Sequence, residues 1–554
     1  MDAALRPVRA GYGCGWVLPA ALFVLPLTAA LWLGVAEAVD ARAWSHLLSD
    51  TQFAAALAES LWIAVASTML SATLCVLIVT RLHGTRAWQR VQGALGGWLA
   101  VPHAAFAIGL ALLLMPSGFI ARLLAGVAGW DAPPDIATVR DPWGLGLIAA
   151  LVFKELPFLL WNVAAQLRRV GQGAELERQL QIAATMGYSR RSAWARLLWP
   201  QLLPRLALPL LAVGAYGFTV VDMALVIGPA RPPTLAVLAW QWLLDANVAT
   251  NHQGAAAALC LTALVAALAA AVVLAWHAVR PAARQRWTRG DRPSAARRFE
   301  WPWAGTGAAV YLAVVLSLLF MSIAGVWTFP SLWPSHWTLQ AWAGVAHSSS
   351  TVGVTAVLAI VSASTGLVLA VAWMETAPAH WDARAAGAVF APMLVPGVLL
   401  VAGLYQLSLH SGIDGRFAGL WLAHSLYTAP YAMVALSPAY RGFDPRYQQT
   451  AHALGRSHAA FLLRVKWPML LAPLAAAFAV AFAVSVTQYL PTQFIGAGRY
   501  ATVTTEALTL ASGGQRNLAA AFALLQALLP AIVFGFAWWL GRRQARRLHA
   551  VAMG

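Results

Sequence analysis

Lys154 and Glu155 stand side by side in FKELPF, within an otherwise apolar stretch, and Asp222 and Gln488 sit in two further apolar stretches. A charged or strongly polar side chain at membrane depth is costly, so it faces a cavity, a partner or a passing solute. These four are the candidate residues of a translocation path. Adjacent residues on a helix point about 100° apart, so Lys154 and Glu155 are poorly placed to neutralise each other. Satisfaction by a neighbouring helix is the competing reading for each of them. Other chemistries lack material. The 13 histidines show no HxxxH or HExxH spacing, and Cys14, Cys75 and Cys260 have no metal-like spacing, so neither a metal site nor a disulfide framework is expected. A phosphate-binding loop needs a lysine after glycine. The two lysines, Lys154 and Lys466, follow Phe153 and Val465, so the chain has no Walker motif of its own. No cofactor and no catalytic residue is expected.

A second pattern is a repeated one. AATMGYSRRSAWARLLWPQLLP (Ala183 to Pro204) and AHALGRSHAAFLLRVKWPMLLAP (Ala451 to Pro473) share a glycine, a basic amphipathic stretch and Trp-Pro. Gly187 and Gly455 break a helix. Ser189 and Ser457 are plausible N-caps for the helix that follows. Trp194, Leu197 and Leu198 form an apolar stripe in the first copy; Phe461, Leu462 and Val465 do so in the second. One such helix would suit a lipid surface. Two copies with the same internal spacing call for a matched pair of partners.

The elements that must position these residues are membrane helices. The chain of 554 residues is 60% hydrophobic and 10% charged, against about 25% charged for a soluble domain. Apolar runs of about 20 residues recur, the length that crosses a bilayer as a helix. Twelve spans are expected: 16–36, 56–80, 94–115, 143–165, 206–228 and 254–276, then 303–326, 350–374, 387–408, 417–436, 473–490 and 517–540. The first run is too long for a secretory signal and reads as an uncleaved span. Pro102 and Pro396, at matching places in the third and ninth spans, mark helix breaks. With the N-terminus inside, 29 of the 37 Lys and Arg fall in inside segments and 7 in outside loops. Both termini and both repeated segments are therefore expected in the cytoplasm. The net charge of +17 reads as loop charge on one membrane side, with the lipid bilayer as partner and no nucleic acid.

The spans fall into two copies. Gly187 and Gly455, Pro200 and Pro468, Gly228 and Gly496, and Thr234 and Thr502 are each 268 residues apart. VPHAAFAIGL from Val101 matches VPGVLLVAGL from Val395, 294 residues on, and ELPF from Glu155 matches TAPY from Thr428, 273 on. Loops absorb such length changes. The expected organisation is a first half at 1–279, a basic linker at 280–302 and a second half at 303–554. Six spans per half make the repeat parallel. The fold class is all-α membrane protein, about twelve transmembrane helices in two parallel six-helix repeats.

At these residues the chain resembles the ABC-importer permeases, whose cytoplasmic loop is written E-A-A-x3-G-x9-I-x-L-P. The glycine is Gly187 or Gly455, the final proline Pro200 or Pro468, and the small residue Ala183 or Ala451. The glutamate position holds Gln181 and Gln449, and Trp199 and Trp467 replace the leucine. The duplicated layout is similar to the fused ferric-iron and thiamine importer permeases. The resemblance implies a type I importer fold in the bacterial inner membrane, two ATP-binding subunits on the cytoplasmic face and a periplasmic substrate-binding protein. In that family the loop is the coupling helix, so Gln181, Ala183, Gly187, Trp194, Pro200, Gln449, Ala451, Gly455, Phe461 and Pro468 are candidate ATPase-coupling residues. Trp194 and Phe461 would be anchors in the ATPase groove. The rival is a secondary transporter of the major-facilitator type, which also has twelve spans and a parallel repeat. Its usual Gly/Asp/Arg-rich motif would fall in RLHGTRAWQR, which has no acidic residue. A membrane enzyme finds no nucleophile–base or metal constellation.

Overall fold

A computed structural model describes residues 17–168, 172–288 and 303–553. Arg6, Arg9, Cys14 and linker residues 289–302 lie outside the described residues. The first half runs through α1 (Val17–Ala38), α2 (Phe53–Leu82), α3 (Arg86–Ala100), α4 (His103–Leu114), α5 (Leu145–Arg168), α6 (Trp199–Thr219), α7 (Asp222–Ile227) and α8 (Val248–Thr288). The second runs through α9 (Trp303–Ile323), α10 (Ser349–Thr376), α11 (Asp382–Leu394), α12 (Gly397–His410), α13 (Phe417–Arg441), α14 (Leu471–Thr487), α15 (Leu490–Ile495) and α16 (Arg516–Met553). Helices satisfy their own backbone groups, which an apolar surrounding demands.

Among the described residues nine helices are long and apolar enough to cross a membrane. Two bent pairs, Ala379–Leu394 with Gly397–His410 and His458–Met469 with Leu471–Thr487, would bring the number to eleven. The remaining expected span, 417–436, falls on the 25-residue α13. His424, Ser425, Tyr427 and Thr428, all buried, dilute its apolar character.

The breaks have local causes. Proline lacks an N–H and pushes the residue before it out of the helical region. Val101 and Val395, each preceding a proline, adopt extended conformations at ψ 121° and 137°. Pro102 and Pro396 then cap α4 and α12. The fifth and eleventh spans also break, at equivalent positions. α6 ends at Thr219 and α14 at Thr487; Val220 and Gln488 are extended, and α7 and α15 restart at Asp222 and Leu490. This corrects the expected span 206–228. Asp222 lies past the end of the long helix, in the first turn of a short one. No proline marks that break, whereas Pro491 marks its counterpart.

The chain divides into two compact units. One comprises residues 40–342 with 510–521; the other comprises 1–39, 343–509 and 522–554. Each unit therefore takes up the first spanning helix of the opposite sequence half. In the unit containing 40–342, α9 packs on α4 at Gly109, where an added Cβ would lie 2.7 Å from Val314 Cγ1. Ser317 Oγ donates to the Gly109 carbonyl at 2.9 Å, and Tyr311 donates to that of Phe153 at 2.8 Å. In the other unit α1 crosses α12 at two glycines. A Cβ on Gly403 would lie 1.8 Å from the Ala30 oxygen, and one on Gly34 would lie 2.8 Å from that of Leu399. Small residues at a crossing let backbones approach, which is how helices associate where apolar burial gives no driving force.

Candidate functional site

The two repeated segments have the same local architecture. Gly187 and Gly455 hold φ of +81° and +70°, a region open to glycine and strained for a β-branched residue. Ser189 then caps one turn through the Ser192 N–H, and Ser457 does so through that of Ala460. A short π-helical turn follows, Trp194–Leu198 in one copy and Leu462–Lys466 in the other. The tryptophan before each proline then donates inward: Trp199 Nε1 to Thr80 Oγ1 at 2.9 Å, and Trp467 Nε1 to the Tyr440 hydroxyl at 3.1 Å.

Each segment is tied to the end of the second helix of its half. Arg190 donates to the carbonyl of His83, just beyond α2. Burial pushes the His83 imidazole below its ordinary value; nearby Glu177 pulls it back up and Arg190 reinforces the fall. The ring packs edge-on against Trp194. In the second copy Lys466 donates to Glu375 in the last turn of α10, and His458 Nε2 lies 3.4 Å from the same carboxylate. Sequence reading missed Glu375, whose only signal is a lone acidic residue at the end of an apolar run.

Burial sorts the expected coupling residues. Gln181, Gln449, Gly187 and Gly455 are exposed, whereas Ala183 and Ala451 are buried beneath the turn. Pro200 is half-buried and Pro468 exposed. Trp194 and Phe461 are corrected: they are 0% and 2% exposed and cannot insert into a partner's groove. Trp194 belongs to a core with Val79, Trp88, Leu159 and Leu198. Phe461 lies against the Phe443 and His458 rings. Large apolar side chains that do face outward include Ile182, Leu197 and Leu463, and a matched pair, Met186, 55% exposed, and Leu454, 73% exposed, each immediately before its glycine. That pair too is 268 residues apart.

The four polar residues in the apolar stretches part company. Lys154 is buried, and its Nζ donates to the carbonyls of Val101 at 2.6 Å and Trp98 at 3.3 Å. Those carbonyls lie at the C-terminal end of α3, where the break before Pro102 leaves them without helical partners. Lys154 is therefore a helix cap, which corrects the path reading at this position. Glu155 turns elsewhere, with Oε1 3.7 Å from His103 Nε2 at the start of α4. The His103 and Tyr216 rings lie 5.0 Å apart, and the Tyr216 hydroxyl donates to Asp222 Oδ1 at 3.3 Å. Glu155 and Asp222 thus end one array built at two helix breaks. His103 and Tyr216 were not anticipated from sequence. Gln488 is half-buried at the end of α14.

No family model matches the chain. Compared with known proteins, it is 33% identical over 534 residues to the Inner membrane ABC transporter permease protein YnjC of Escherichia coli (strain K12), covering 95% of this chain and 96% of that protein. It is 27% identical over 114 residues to the Spermidine/putrescine transport system permease protein PotC of Haemophilus influenzae, covering 21% of this chain and 44% of that one. The PotC protein of Escherichia coli (strain K12) is 25% identical over 114 residues, covering 21% and 43%. Near-full-length similarity to one permease, on an all-helical chain with two repeats, places this protein in a single class: the chain belongs to the inner-membrane ABC transporter permeases.

Proposed function

We propose that this permease is the fused membrane subunit of a binding-protein-dependent importer, with both termini cytoplasmic. Two ATP-binding subunits dock on it, one at each repeated segment, and a periplasmic binding protein delivers the solute. The matched geometry of the two segments supports this reading most directly. A left-handed glycine, a serine cap, a π-helical turn and an inward tryptophan recur 268 residues apart. Gln181 and Gln449 keep hydrogen bonding at the docking face without a charge. Met186 and Leu454 supply the apolar contacts first ascribed to Trp194 and Phe461. Residues 1–279 and 303–554 are the two repeats, joined by the basic linker at 280–302.

The path includes Glu155, Asp222 and Gln488. The solute is small; thiamine and ferric iron come from the resemblance of the fused layout, and spermidine and putrescine from the names of the partial relatives. Identifying the ligand of the binding protein that works with this permease decides among them. The mechanism is tested by reconstitution into vesicles. Uptake should need an added ATPase subunit and ATP. Uptake driven by an ion gradient alone would return the major-facilitator reading.

A further inference from the structure

We infer that the array Glu155–His103–Tyr216–Asp222 is a subsite for a cationic group of the transported solute. This rests on the reading of that corner as part of the path. The four residues come from four elements: the middle of α5, the first residue of α4, the last turn of α6 and the first residue of α7. The sequence separates them by up to 119 positions, and two helix breaks bring them together.

The second half is a built-in control. The equivalent positions there are Gly397, Thr428, Val484 and Leu490. The same breaks occur, before Pro396 and after Thr487. The corner also closes in the same way, because a Cβ on Gly397 would lie 3.3 Å from Leu490 Cδ1. Thr428 spends its hydroxyl on the Ser362 carbonyl at 2.9 Å. The scaffold is thus built in the second half with no ionised group at any of the four positions. The charges in the first half are not needed to make the breaks, and buried or half-buried carboxylates are costly to keep.

The balance of charge sets the ligand class. Two carboxylates face His103 and Tyr216. Lys154 lies next to Glu155, but its ammonium is committed to the carbonyls of Trp98 and Val101. With the His103 imidazole neutral, counting that ammonium in full still leaves one negative charge in excess. The Tyr216 and His103 rings add π faces that attract a cation. Carboxylates beside two aromatic rings suit an organic ammonium group. They would repel an oxyanion.

The test needs no knowledge of the solute. In a permease with Cys14, Cys75 and Cys260 replaced by alanine, the His103→Cys variant is assembled with its ATPase subunit in vesicles. It is treated with trimethylammonium-ethyl and with sulfonatoethyl methanethiosulfonate, with and without ATP. Relative to the rates on a free thiol, the cationic reagent should react about tenfold faster, the order expected of net negative charge a few Å away in a partly wet site. Adding Glu155→Gln and Asp222→Asn should bring the ratio back close to that of the free thiol. A reactive thiol whose ratio ignores the double neutralisation overturns the cation subsite and leaves the path reading standing. A thiol that neither reagent reaches, with or without ATP, overturns the path reading and the subsite with it. The Tyr216→Cys variant repeats the measurement should His103→Cys fail to assemble.

Discussion

Replacing Lys154 with methionine separates structure from transport at a single position. The lysine is buried, and it holds the carbonyls of Trp98 and Val101 at 3.3 and 2.6 Å. Methionine fills most of the same volume but donates nothing. Each buried acceptor left unsatisfied costs about 1–3 kcal/mol. Relief from desolvating an ammonium offsets part of this, while the loss of positive charge beside Glu155 adds to it. The expected net destabilisation is about 2–4 kcal/mol. It should appear as less monodisperse complex in detergent and a lower midpoint of thermal unfolding. Uptake per folded molecule should stay normal, because Lys154 holds a helix end and does not face the solute. The Glu155→Gln variant should do the reverse, with normal yield and reduced uptake per molecule. Lys154→Met protein of wild-type thermal stability and poor uptake would refute the capping account.

The Gly187→Val and Gly455→Val variants force a β-branched residue to φ of +81° and +70°, at about 1–3 kcal/mol each; co-purification of the ATPase subunit should fall while membrane insertion persists. Met186→Asp with Leu454→Asp should abolish ATPase coupling at unchanged yield, whereas Trp194→Ala, which empties a fully buried site, should cost about 3–5 kcal/mol and lower the yield itself. A Cβ at position 403 would lie 1.8 Å from the Ala30 carbonyl oxygen, so Gly403→Leu should force α1 and α12 apart and a cysteine crosslink between them that forms readily in the parent should be lost. For the same reason neither half expressed alone should transport, since each compact unit takes its first helix from the other half.

Much of this arrangement is legible in sequence because it rests on local rules. Apolar length gives the spans, proline gives the breaks at 101–102 and 395–396, and a glycine followed by a capping serine gives the turn in each repeated segment. What was misread depends on who sits opposite. The apolar stripe at Trp194 announces a buried face without saying what buries it; the chain's own core does. Lys154 looked like a path residue because the carbonyls it caps are freed by a break 53 residues earlier. The end of α6 was placed too late because Val220 and Val221 carry no signal as strong as Pro491 in the second copy. The exchange of α1 and α9 has only paired small residues to announce it, and small residues abound in this chain.

The duplication also allows scaffold and function to be told apart inside one molecule. Where both copies keep a feature, the demand on it is common to both halves. The left-handed glycine, the serine cap and the inward tryptophan are kept, and on the proposed reading each copy of the segment docks one ATPase subunit. Where the backbone is kept and the chemistry differs, the demand is not architectural. The break after α6 and the break after α14 have the same form, yet one carries Tyr216 and Asp222 and the other Val484 and Leu490. On the proposed reading, a group of the solute is recognised by side chains that one repeat alone carries. His103, Glu155, Tyr216 and Asp222 stand where the second half has Gly397, Thr428, Val484 and Leu490, and on the proposed reading that difference is what recognises a cationic group.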